Sequence, residues 1–179
     1  MNKKTLVIIS LGVTLIAIIG GFLIIKNPAR NNSVPSTSST QPTITSVEYQ
    51  NSQYGFVFSL PIGWKDYSII VDKWNGQILD AQDSTKAATT VEGPKILIRH
   101  PQWTTENPRQ DIPIMIFTLN EWNLVQQEKL SVSAAPIGPS ELGRNANYVF
   151  ALPARYNFAY LPGYEEVETI LQGNPLVSI

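Results

Sequence analysis

The sequence predicts an α+β domain built on antiparallel strands and carried behind a single membrane-spanning helix. Three observations predict it. Residues 5–25, TLVIISLGVTLIAIIGGFLII, hold no charge. Behind a polar stretch come short apolar runs that alternate in character or stop at proline and glycine, the pattern of strands joined by turns. Two later segments carry helix-start signals instead.

The run from Thr5 to Ile25 is 21 residues long, about 32 Å as a helix, against a hydrocarbon core of roughly 30 Å. Lys3 and Lys4 precede it and Lys26 and Arg30 follow it, so flanking side chains leave the orientation balanced. The α-amino group and the leader of residues 1–4 tip it towards a cytoplasmic N-terminus and a translocated C-terminal part. The expectation is a single-pass signal-anchor in the cell membrane, with the domain outside the cytoplasm. A cleaved signal has a shorter apolar region and an Ala-x-Ala-like site, whereas this run ends Leu23-Ile24-Ile25-Lys26. A lipoprotein needs a cysteine, and there is none. Ala17 and Gly21 form one small-xxx-small pair, a weak signal for helix pairing.

Residues 27–46, NPARNNSVPSTSSTQPTITS, form an expected unfolded linker: fifteen of the twenty are Ser, Thr, Pro or Asn. So little apolar surface cannot offset the entropy of ordering them. Asn31-Asn32-Ser33 fits a glycosylation sequon, which an Asn/Ser-rich linker contains by chance.

Residues 47–179 then make one domain of ordinary size. It holds all fourteen acids and nine of the thirteen Lys and Arg residues, a net charge of −5. That argues against a nucleic-acid surface and a polybasic lipid-binding face. Zero cysteines exclude disulfides, thiol catalysis and thiolate metal sites.

Phe56, Phe58 and Leu60 alternate with Val57 and Ser59, which predicts a strand that Pro61 ends. Residues 67–71 predict another. Asn75-Gly76, between 68–74 and 77–81, predicts a two-residue hairpin turn, and the polar stretch 82–93 a loop. Residues 95–99 read as a buried strand and 101–111 as a Pro-rich excursion carrying Trp103. Residues 114–117 are apolar throughout, as in a central strand. Thr118-Leu119-Asn120-Glu121 is a capping box, with Phe117 and Trp122 placed as a hydrophobic staple. That helix is expected to reach Lys129 and to bury Trp122, Val125 and Leu130. Residues 131–135 suggest a short strand, 136–144 turns, and 148–152 a strand closed by Pro153. Residues 164–171 predict a last helix, with Glu165, Glu166 and Glu168 near its positive end and Gly173 and Pro175 after it.

The order Tyr-Gly-Phe-x-Phe-x-Leu-Pro-x-Gly-Trp at residues 54–64, followed by antiparallel strands and a C-terminal strand and helix, resembles the PsbP-like superfamily. The resemblance implies a twisted antiparallel sheet flanked by helices, an α/β/α sandwich. Members have unrelated roles, so it implies no site residue and no activity.

For chemistry, His100 is the single histidine, near Asp111 and Glu106 in sequence. An acid–base site there competes with a strand-end histidine on a surface loop. One histidine cannot build a His-based metal cluster. Asp72, Asp80 and Asp83 flank the expected hairpin without calcium-loop spacing and read as solvated turn carboxylates. Of four tryptophans, Trp64 and Trp122 read as core. Trp74 and Trp103 are harder to bury, and with Arg99, His100 and Arg109 they form the candidate binding surface for a peptide, protein or glycan. No cofactor or metal is implied. The expected function is a membrane-tethered binding or assembly module without catalysis. The alternatives are an accessory subunit of a membrane complex recruited through its helix, and an enzyme using His100.

Overall fold

A computed structural model describes residues 45–78, 89–135 and 137–179. The expected anchor, nearly all of the linker, Asp80, Asp83 and Pro136 lie outside the described residues. Among the described residues no helix is long and apolar enough to cross a membrane.

The described chain is mostly β. Its strands are β1 (Ser46–Asn51), β2 (Phe56–Pro61), β3 (Ser68–Ile78), β4 (Thr89–Arg99), β5 (Ile112–Thr118), β6 (Leu130–Ser131), β7 (Ser140–Arg144), β8 (Tyr148–Leu152) and β9 (Leu176–Ser178). Two helices join them, α1 (Leu119–Gln126) and α2 (Tyr164–Gln172). A six-stranded antiparallel sheet in the order β6-β3-β4-β5-β8-β7 bends into a half-barrel, beside a three-stranded sheet in the order β1-β2-β9.

The alternation of β5 explains the core. Ile112, Ile114 and Ile116 point to one face of the large sheet, where they meet Phe56, Phe58 and Leu60 of β2 and Val167 and Ile170 of α2. Met115 and Phe117 point to the other, against Trp122 and Val125 of α1, Trp74 and Leu130. A strand buried on both faces needs apolar residues without a break, as 114–117 supply.

The capping box forms as its spacing predicts. The Thr118 side chain accepts from the Glu121 N–H, and the Glu121 carboxylate accepts from the Thr118 N–H at 2.8 Å. Phe117 and Trp122 lie with ring centroids 5.5 Å apart, completing the staple. The helix stops at Gln126, short of Lys129, because Glu128 takes a left-handed conformation (φ 57°) and the Lys129 N–H turns back to the Leu124 carbonyl at 2.8 Å. Leu130 is buried from β6 and not from the helix.

The expected hairpin at Asn75-Gly76 is absent. β3 runs straight through both residues, pairing Asn75 with Glu92 and Gly76 with Val91. Gly76 serves close approach: a Cβ there would meet Leu130 Cδ1 and the Ser131 carbonyl at 2.9 Å. The opposite strand makes the matching concession. Gly93 pairs with Trp74, and a Cβ on Gly93 would lie 2.3 Å from the indole. Residues 89–93, expected in a loop, are therefore strand. Asp72 pairs with Lys95, 2.8 Å from its ammonium, and is a strand residue of β3. Its carboxyl is held below the usual range by that cation and by the Lys73 N–H.

Three further strands carry weak local signals. β1 and β9 flank β2, and β9 is only three residues long. Within the stretch expected as turns, β7 forms with a register shift between Glu141 and Gly143, where a Cβ would lie 3.0 Å from Leu176 Cδ2.

Candidate functional site

The last residue of β4 and the excursion from there to β5 hold four of the five candidate residues, and the structure divides them between opposite faces of the sheet. Ile98 points into the core and pairs with Ile112. Strand alternation then turns Arg99 to the α1 face and leaves it opposite Asp111, one step beyond the last paired residues. Arg99 Nε lies 3.1 Å from Asp111 Oδ1 and Nη2 2.8 Å from Oδ2. Only 23% of the Arg99 side chain and 16% of the Asp111 side chain are exposed. A forked, sheltered pair exceeds the ~1 kcal/mol of exposed ion pairs. The hydrogen bonds to Asp111 also raise the Arg99 pKa. The guanidinium carbon sits 3.8 Å from the Trp103 ring centroid, a cation–π stack that fixes the half-buried indole on the excursion.

His100 turns the other way. It is 6% exposed and meets the Trp64 ring edge-on at 4.9 Å. Its Nδ1 accepts the Gln102 N–H at 3.1 Å, so the neutral ring carries its proton on Nε2. Burial first, then the Arg109 charge, push its pKa below the ordinary value, and Glu166 opposes them. Glu166 of α2 accepts the Trp64 indole N–H at 3.0 Å through Oε1 and meets Arg109 Nη2 at 3.3 Å through Oε2. Gly163, the cap residue of α2, makes room for that guanidinium: a Cβ there would lie 3.0 Å from Nη2. Gln110, buried, donates through Nε2 to the carbonyls of Asp111 and Tyr156 and through its backbone to that of Pro162. The excursion is thereby pinned to both sides of the sheet end.

Several expectations change with this geometry. Trp74 leaves the binding surface: it is 3% exposed, stacked on Phe117 at 4.7 Å, and its indole N–H donates to the Ile116 carbonyl at 2.8 Å. His100 is buried, not on a surface loop, because Trp64 covers it. Asp111, one carboxylate paired with His100 in the enzyme reading, belongs to Arg99. Glu106, the other, lies exposed at an open cleft of about 380 Å³ with Gln102, Pro108 and Arg109. Arg99 stacks on Trp103, and His100, turned away from them, is near enough to Arg109 to feel its charge. Trp64, Glu166, Gln110 and Gly163 are the residues that sequence reasoning missed, and Trp64 and Glu166 stand 102 positions apart, beyond any local pattern.

Among the described residues no group of three or more His, Asp or Glu is placed to hold a metal ion. Comparison with models of protein families, with curated proteins and with solved structures finds no match. The arrangement can present Trp103 as an aromatic platform and the cleft beside Arg109 as a recess whose walls include Pro108 and Pro162. Asp111 and Glu166 are each held by an arginine, while Glu106 stands exposed at the cleft.

Proposed function

We propose that this chain is a membrane-tethered, extracytoplasmic binding or assembly module that performs no chemistry of its own. The observation that carries the reading is the state of the charged groups on the excursion. Asp111 and Glu166, the carboxylates on either side of this end of the sheet, are each bound to an arginine, and those bonds hold a tryptophan and a loop in place. Preorganised aromatic and arginine side chains suit recognition, where little ordering entropy remains to be lost on binding. The tether belongs to the proposal through the uncharged run at residues 5–25. So does the PsbP-like arrangement: α1 packs on one face of the large sheet, and α2 with the small sheet packs on the other.

Crosslinking of the full chain in intact membranes, followed by identification of its neighbours, tests the reading. A specific neighbour lost in Trp103→Ala supports it. A His100→Ala variant that fails a deletion-complementation assay while staying folded would replace it with the enzyme reading.

A further inference from the structure

We propose that the end of the domain where the linker arrives lies against the bilayer, with Phe158 and Tyr160 entering its interfacial region. This rests on the tethered reading and adds an orientation to it. The loop between β8 and α2 exposes Phe158 at 77% and Tyr160 at 69%, large apolar groups set two residues apart. The loop is held firmly. Its Tyr156 carbonyl accepts from Gln110, Asn157 donates to Glu168 of α2, and Tyr160 packs edge-on against Tyr164 at 5.2 Å. Arg155 and Tyr160 both adopt left-handed backbone (φ 53° and 46°), an unfavourable state for side-chain-bearing residues. Strain kept in a clamped loop, to display two aromatic rings to water, points to something that covers them.

A chain of contacts places this loop at the linker end. Thr45 accepts the Ile62 N–H at 3.1 Å, and Ser46 pairs with Pro61. Trp64, two residues on, bonds Glu166 in the first turn of α2, directly after the loop. Ile62, 44% exposed, adds a third apolar group there. Eighteen residues, 27–44, separate the uncharged run and its flanking lysine from Thr45, so this end cannot stand farther from the membrane than their full extension, about 60 Å. The exposed charges nearby are mixed, Lys65 and Arg155 against Asp66 and Glu165, so the contact is apolar and needs no anionic lipid. Aromatic side chains favour the headgroup level of a bilayer.

The absence of cysteine allows one label at a chosen site. The full chain is reconstituted in vesicles of phosphatidylcholine and phosphatidylethanolamine, with an environment-sensitive fluorophore on Ala159→Cys or, in β9 opposite Val57 of β2, on Val177→Cys. The proposal expects a blue shift and quenching by headgroup-level spin-labelled lipid for the first label and neither for the second. Phe158→Ser with Tyr160→Asn, which suits the left-handed position, should abolish the shift while the chain still floats with the vesicles. A water-like Ala159 label on a vesicle-bound chain overturns the proposal and leaves the tether standing. So does a shift that survives the double variant or that requires phosphatidylglycerol. A chain that does not float with vesicles removes the tether and the proposal together.

Discussion

Glu166 accepts the indole N–H of Trp64 at 3.0 Å, and the same carboxylate holds Arg109 at 3.3 Å. One side chain of α2 thus locks the end of β2 to the excursion between β4 and β5. The indole is 1% exposed, so its donor has no water to fall back on.

Glu166→Ala should therefore cost about 1–3 kcal/mol, the usual penalty for stranding a buried donor. Glu166→Gln keeps an acceptor for Trp64 and gives up only the charge facing Arg109, a loss of about 1 kcal/mol or less at this exposure. Urea unfolding followed by tryptophan fluorescence separates the two variants, and equal losses would contradict this division of labour.

His100 should make the fold sensitive to mild acid. Its pKa is lowered in the folded state, first by burial and then by Arg109. Below the ordinary value of 6.5 the unfolded chain takes up this proton more readily than the folded one. The stabilisation is whole above 6.5 and drains away as pH falls from there towards the folded pKa. The urea midpoint should drop between pH 7.5 and 5 in the native chain, and His100→Gln should flatten that part of the profile.

Gly93→Ala should be among the most damaging small substitutions in the sheet. The added Cβ would sit 2.3 Å from the Trp74 indole, which cannot swing away without leaving Phe117 and the Ile116 carbonyl. A loss of about 3 kcal/mol, at the upper end for overpacking, is expected by chemical denaturation. A variant of unchanged stability would mean that the indole can move.

Trp103→Ala should separate binding from folding. The ring is half-buried and stacks on Arg99, itself secured by Asp111, so the unfolding free energy should fall by no more than about 1 kcal/mol. Partner crosslinking should disappear. Arg99→Lys keeps the charge but gives up the forked bond and the stack, and should weaken crosslinking in part.

Local chemistry was legible wherever neighbours in the chain carried it. The capping box at Thr118 and Glu121, the staple of Phe117 on Trp122, the central apolar strand and the acidic start of α2 all depend on residues within five positions of each other. Asn75-Gly76 misled because the same pair serves two purposes. In a turn, glycine supplies backbone freedom; in β3 it supplies empty space for β6, and no neighbour in sequence tells these apart. β9 failed for a related reason, being three residues whose strand character exists only beside β2.

The sequence by itself determined that antiparallel strands would combine with two helices, where both helices begin, and which strand would be central, because period and capping act over one or two turns of chain. That the domain is mostly β, a half-barrel beside a small sheet, came from the tertiary structure. Only the tertiary structure decided that Trp74 is core, that Arg99 and His100 face opposite ways, and that Glu166 closes on Trp64. Those outcomes follow from strand register and packing between segments up to about a hundred residues apart, where one step of alternation sends a side chain to the other face.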